Sequence, residues 1–101
     1  MSNRSFTDDI KTVTPLLRKH WNPYQWAFTM LKSKYTQERV LAVLMSINND
    51  MGDGTFMDLN VGQFWGIATN RLKNNSSRIS DIEKNIIGEV VQNLFRNAPV
   101  Q

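Results

Sequence analysis

The sequence predicts an all-α fold: a compact single domain of four to five short helices in bundle-like orthogonal packing. Three observations predict it. Apolar residues recur three and four positions apart along most of the chain, and residues that favour helix N-caps precede these stretches. The length of 101 residues suits one domain with one modest core. Neither a repeat nor a linker interrupts the chain, so the predicted domain is residues 1–101, with 1–5 frayed.

The first two helices are predicted from capping residues and prolines. Thr7 precedes two acids that suit a helix N-terminus, and apolar residues follow at helical spacing from Ile10. Pro15 interrupts this pattern, which predicts a kink or a restart of the helix there. Asn22 and Pro23 then form an N-cap followed by proline at the first helical position, so a second helix should begin at Pro23.

The third helix should be the centre of the fold. Thr36 can cap it, and it is expected to run from Gln37 to about Asn48. Its residues are apolar nearly all round, which is typical of a helix buried on every side. Residues 48–54, Asn-Asn-Asp-Met-Gly-Asp-Gly, predict a turn that ends it.

Two more helices are expected after this turn. Asn60 and Gln63 resemble a capping box at the start of the fourth helix. Residues 74–79 are expected to be a polar loop, and the Ser-Asp-Ile-Glu sequence at 80–83 is a second capping box. It predicts a last helix that ends before Pro99. The spacing of Gly62 and Gly66 predicts that another helix crosses closely over the fourth.

The sequence supplies no catalytic constellation, and we expect a protein that is not an enzyme. His20 is the only histidine and there is no cysteine. In the Asp-rich turn, Met51 offers a thioether where a calcium loop needs an oxygen ligand, and Asn60 offers an amide where the loop needs a bidentate glutamate. A plain Asp-Gly turn is therefore favoured. No phosphate-binding or dinucleotide-binding glycine pattern occurs. We therefore assign no catalytic residue, no metal and no cofactor.

Charge is distributed unevenly along the chain, whose formal net charge is +3. Residues 10–37 contain five basic residues and no acid, and residues 59–80 contain three basic residues and no acid. The first of these acid-free segments also holds half of the ten aromatic residues. Basic side chains interleaved with flat rings suit nucleic acid, because the cations bind phosphates and the rings stack on bases. They equally suit an aromatic core surrounded by solvated lysines, and a basic helix end followed by a polar loop would account for the second segment.

The leading hypothesis is therefore a small non-enzymatic intracellular regulatory protein that binds DNA or RNA through basic surface blocks. No helix-turn-helix is evident, so the surface would be an unorthodox one. The lack of cysteine and of an apolar leader favours the cytoplasm. The longest nearly apolar run, residues 40–47, is too short to span a membrane, so we expect no membrane role. The predicted contact residues are Asn70, Arg71, Lys73, Asn74 and Arg78, supported by Arg18, Lys19, Lys32 and Lys34.

The alternative is a protein-binding adaptor or inhibitor, of the kind that phages and mobile elements encode. Its partner, a host protein, would contact exposed aromatics such as Trp21, Trp26 or Trp65. Self-association into a homodimer through the broad apolar sector of the last helix is a related option. Nucleic acid is favoured if the two acid-free segments form one continuous face, and a protein partner is favoured if they diverge and an apolar patch is exposed.

Overall fold

The all-α prediction is confirmed. The computed structural model contains five α-helices and no strand among the residues that it describes. The described residues are 5–19, 21–55, 59–74 and 76–97, with side chains described as far as residue 88 in the last helix. The helices are α1 (Phe6–Val13), α2 (Pro23–Lys32), α3 (Gln37–Gly52), α4 (Val61–Lys73) and α5 (Ser77–Asn97), with a short 3-10 helix, η1 (Leu17–Lys19), between α1 and α2.

Helix α3 is the centre of the fold, as its apolar composition predicts. It contacts η1 and each of the other four helices. Most of its apolar residues and three of its polar ones are buried. Around it, each neighbouring element contributes large side chains to one continuous core, among them Ile10, Leu17, Trp26, Phe64 and Ile79.

Side-chain caps begin the first four helices. Asn22, Thr36 and Asn60 each accept a hydrogen bond from a backbone N–H in the first turn, as predicted. At α4 the capping box is complete, because Gln63 also accepts from the backbone N–H of Asn60 at 2.9 Å. Helix α1 is capped by Ser5, earlier than expected, so Ser5 is not frayed, and residues 1–4 lie outside the described part.

Helix α3 runs beyond its predicted end, because two polar residues of the supposed turn are buried and satisfied. It continues to Gly52. The Oδ1 atom of Asn48 accepts from the backbone N–H groups of Leu16 and Leu17, at 2.9 and 3.0 Å. These bonds tie the segment after α1 to the centre of the fold. Thr14 is the C-cap of α1, so the predicted interruption at Pro15 is confirmed.

Helix α5 begins earlier than predicted. Its first residue is Ser77, and the Oγ atom of Ser76 accepts from the N–H of Ile79 at 3.3 Å. The prediction of a polar loop over 74–79 is therefore wrong for its second half, and residues 80–83 lie inside the helix. The early start buries Ile79, an apolar contact that outweighs the local capping preference of the later residues.

None of the helices in the described residues is long and apolar enough to cross a membrane.

Candidate nucleic-acid interface

The two acid-free segments meet in the fold. Helices η1 and α2 lie in the first and α4 lies in the second. Trp26 of α2 donates from its indole Nε1 to Thr69 Oγ1 of α4 at 3.3 Å. The ring of Phe64 lies edge-on to Trp26, with centroids 5.9 Å apart, and nearly parallel to Trp21, with centroids 6.5 Å apart. These contacts, between residues about forty positions apart, bring η1 and the start of α2 next to α4. The surface that η1, α2 and α4 share is here called the α2–α4 face.

Three shallow depressions follow the α2–α4 face from end to end. The first lies where α2 and α4 begin, and the third lies where both end, so the two helices run in the same direction. The second lies between them on α4. Their lining residues are Arg18, Lys19, Trp21, Asn22, Tyr24 and Val61 in the first; Trp65, Gly66, Thr69, Asn70 and Lys73 in the second; and Lys34, Tyr35, Thr36, Arg39, Leu72, Lys73 and Glu83 in the third.

The charge of the α2–α4 face is positive. Among the described residues that line the depressions, Glu83 is the one acid, and Arg39 Nη1 lies 3.5 Å from its Oε2. The ammonium groups of Lys19, Lys34 and Lys73 form no ion pair with any described residue. Their charge is therefore available to an anionic ligand.

Two of the predicted contact residues form ion pairs within the fold. Arg71 and Arg78 converge on the carboxylate of Asp50 at the end of α3. Arg71 Nη2 lies 2.7 Å from Asp50 Oδ2, and Arg78 Nη2 lies 2.6 Å from Oδ1. Arg71 Nη1 also donates to Ser46 Oγ at 2.9 Å. This Asp50 cluster, made of Ser46, Asp50, Arg71 and Arg78, joins α3, α4 and α5.

The electrostatics of the Asp50 cluster are those of a satisfied ion pair. Burial by itself would raise the pKa of the Asp50 carboxyl group. The hydrogen bonds and charges of Arg78 and Arg71 outweigh burial, and the pKa lies below its ordinary value of 3.8. Asp50 raises the pKa of Arg78 in return. Asp50 and Arg78 are therefore ionised at neutral pH, and Asp50 partly compensates the charge of the two arginines.

The sequence carried a signal for this inward placement of Arg71. It lies seven residues after Phe64 and three after Ala68, which places it on the buried side of α4. Asp50 likewise lies four residues after Ser46 and three after Ile47, both buried on α3. The prediction of a turn over residues 48–54 gave Asp50 no partner, although this spacing places it on the buried side of α3.

The other predicted contact residues lie at the surface. Lys32 is exposed in the last turn of α2, and Asn70 is exposed on α4. Asn74 is the C-cap of α4, and its Nδ2 donates to Asn70 Oδ1 at 2.8 Å. Arg39, which the sequence analysis did not single out, donates to the backbone carbonyl groups of Leu72 and Asn74 at 2.9 and 3.1 Å. It thereby closes the C-terminal end of α4.

The outer side of α4 is open, contrary to the prediction of a close helix crossing. A Cβ atom added at Gly66 would meet no atom within 4 Å, and one at Gly62 would meet only Asn60 Oδ1, at 3.4 Å. Trp65, between these glycines, packs against the core with one side and is half-buried. Close packing against a crossing helix would have placed atoms over both glycines.

The aromatic residues proposed to contact a protein partner differ in their exposure. Trp26 is fully buried, so the prediction that it is exposed is wrong, whereas Trp21 and Trp65 are half-buried. The exposed large hydrophobic side chains of the described residues, Phe28, Val61 and Ile87, lie on three different helices. The predicted self-association surface falls mainly on side chains 89–97 of α5, which lie outside the described part.

No group of three potential metal ligands occurs among the described residues, and His20 lies outside them. No protein-family model, curated protein or solved structure was found to match this chain.

Proposed function

We propose that this chain is a non-enzymatic regulatory protein of the cytoplasm that binds DNA or RNA on the α2–α4 face. One observation carries the proposal. Two acid-free segments that are distant in the sequence form one face, on which cations and aromatic rings alternate. Glu83 is the one acid among the described residues that line the depressions, and Arg39 compensates it; the other described acidic side chains lie in α1, in α3, at the C-cap of α3 and in α5. Such a face is complementary to a polyanion with stackable bases.

Phosphate neutralisation would supply most of the affinity. Besides Arg39, which pairs with Glu83, four cations line the depressions: Arg18, Lys19, Lys34 and Lys73. Each phosphate that they neutralise releases a condensed counterion, so affinity should fall as salt concentration rises. If all four contact phosphates, the logarithm of the binding constant should fall with the logarithm of the salt concentration with a slope of about −3.

The test compares two lysines of the same chain. Lys73→Gln removes a cation that lines two depressions, and Lys84→Gln removes an exposed cation of α5 that lines none of them. Both variants change the net charge equally. Binding of short oligonucleotides would be measured by fluorescence anisotropy at several salt concentrations. Lys73→Gln should weaken binding and reduce the magnitude of the salt slope by about 0.7 to 0.9, whereas Lys84→Gln should leave the slope unchanged.

The proposal fails if no oligonucleotide binds at low salt, or if the two variants lose affinity equally. Equal losses would mean that the whole net charge, and not the α2–α4 face, attracts the nucleic acid. An absence of binding would favour the alternative of a protein partner contacting Trp21 and Trp65.

A further inference from the structure

We infer that the α2–α4 face binds single-stranded nucleic acid in preference to duplex, with one base stacking on the exposed side of Trp65. The inference rests on the proposed function and specifies its ligand. It is carried by three features of the face: the surroundings of Trp65, the repeated pairing of ring and cation, and the length of the row of depressions.

Trp65 is a stacking platform that is already in place. Its side chain is half-buried and packs against the core, which restricts its rotation. Trp65 and Gly66 line the same depression, and a Cβ atom at Gly66 would meet no atom within 4 Å. Gly66 thus leaves room for a base beside the ring, and little conformational entropy is lost when a base stacks on a ring that is already held in place.

The residues around Trp65 match the other parts of a nucleotide. Lys73 lies in the same depression and can bind a phosphate group. Asn70 lies there too, and because its Oδ1 accepts from Asn74, its amide NH₂ group is left as a donor for a base edge. Ring, donor and cation thus occur side by side on consecutive turns of α4.

The pairing of ring and cation is repeated in all three depressions. Trp21 and Tyr24 lie beside Arg18 and Lys19 at one end, and Tyr35 lies beside Lys34 and Lys73 at the other. Alternating rings and cations along a groove are typical of proteins that bind single strands. From Val61 to Lys73 the row extends about 18 Å, the rise of about five stacked nucleotides.

Duplex binding would leave these features unused. Bases within a duplex are stacked on each other, so their faces are inaccessible to Trp65 or Tyr35. A helix that reads the major groove carries polar side chains at its N-terminal end. In the N-terminal half of α4 the exposed residues are instead Val61, Gly62, Gln63 and Gly66, of which only Gln63 has a polar side chain. The face therefore favours an accessible, unpaired strand.

The experiment uses the whole chain and four fluorescent probes with equal numbers of phosphates. These are a mixed-sequence 12-nucleotide DNA strand, the same sequence as RNA, a self-complementary duplex, and a strand with abasic sites throughout. The single strands should bind at least tenfold more tightly than the duplex and the abasic strand. The DNA and RNA strands both present phosphate groups and unpaired bases, so tight binding of either one supports the inference.

Variants of Trp65 separate stacking from charge. Trp65→Leu should weaken single-strand binding by about 5- to 150-fold, the range expected for one stacked base, with no change in the salt slope. Trp65→Tyr should retain most of the affinity, because it keeps an aromatic ring. Phe28→Leu is the matched control, since it removes an exposed ring that lines none of the depressions. Circular dichroism of each variant establishes that the fold is kept, and Trp65→Tyr keeps the test decisive if Trp65→Leu does not fold.

The possible failures are distinguishable. If no probe binds at low salt, the proposed function is wrong and the inference falls with it. If nucleic acid binds but the duplex or the abasic strand binds as tightly as the normal strand, the proposed function stands and the stacking inference is wrong. An affinity of Trp65→Tyr as low as that of a folded Trp65→Leu would also overturn the role of the ring.

Discussion

Replacing Asp50 by asparagine would test whether the ion pairs of Arg71 and Arg78 stabilise the fold. The Asp50 side chain is 7 % exposed and is the common partner of both guanidinium groups. The substitution Asp50→Asn keeps the size of the side chain but removes its charge. Two cations would then remain next to each other without the carboxylate that they share.

The expected loss follows from the exposure of each partner. Breaking a fully buried ion pair costs about 3–5 kcal/mol, because an unpaired charge is left in a poorly solvated place. Here the Arg71 and Arg78 side chains are 23 % and 51 % exposed, so water compensates part of that loss. The amide oxygen of the asparagine also keeps one acceptor. Asp50→Asn should therefore lower the free energy of unfolding by about 2 kcal/mol.

The pH dependence of this loss provides a second measurement. Because the folded-state pKa of Asp50 lies below that of the unfolded chain, its ionised form stabilises the protein above the ordinary value of 3.8. This stabilisation is lost as the pH falls through the lowered pKa of the folded state. In urea unfolding at a series of pH values, the difference between wild type and Asp50→Asn should be largest near neutral pH and should shrink in acid.

A matched control is Asp53→Asn, at an exposed carboxyl group at the C-cap of the same helix. Its unfolding free energy should lie within about 0.5 kcal/mol of wild type. The reasoning is refuted if Asp50→Asn unfolds at the same urea concentration as Asp53→Asn, or if its deficit is the same at neutral pH and in acid. Arg78→Gln adds a functional readout: it should lower stability while leaving the salt slope of nucleic-acid binding unchanged.

Three further substitutions test local features by equilibrium urea unfolding. Asn48→Ala removes the acceptor of the Leu16 and Leu17 N–H groups, and should cost about 2 kcal/mol; a loss below about 0.5 kcal/mol would contradict this role. Gly54→Ala places a Cβ on a residue with φ of +85°, and should cost about 1 kcal/mol even though the space around it is open. Gly66→Ala, on the open outer side of α4, should instead raise stability by about 0.5–1 kcal/mol, and a decrease would show that the surface is occupied.

Local capping chemistry explains what the sequence could predict of the fold. Asn22, Thr36 and Asn60 act within a few residues of their own positions, so a short stretch of sequence contains all the information needed. The ends that were mispredicted depend on distant partners. Helix α3 passes through its polar turn sequence because Asn48 finds two N–H donors about thirty residues away, and α5 begins early because Ile79 reaches the core.

The candidate site, too, depends on contacts between distant residues that the sequence does not predict. Its acid-free segments are evident in the sequence, but whether they meet depends on the contact of Trp26 with Phe64 and Thr69, which no local pattern encodes. The cations of the second segment could not be sorted by composition either. Helical spacing indicates the buried side of α4 for Arg71, but the shared partner of Arg71 and Arg78 is evident only in the packing of α4 and α5 against α3.

The two basic residues of helix α4, Arg71 and Lys73, differ in angular position: one is held inside the fold and the other lies on the face proposed to bind the ligand. Arg71 and Lys73 are two residues apart and therefore point in directions about 200° apart around the helix axis. Arg71 faces α3 and is held by Asp50 and Ser46, whereas Lys73 lines two depressions of the α2–α4 face. Loss of Arg71 should therefore change the unfolding free energy and leave the salt slope unchanged, and loss of Lys73 should do the reverse. The charge of the second acid-free segment thus holds the helices together on one side of α4 and remains available to phosphate groups on the other.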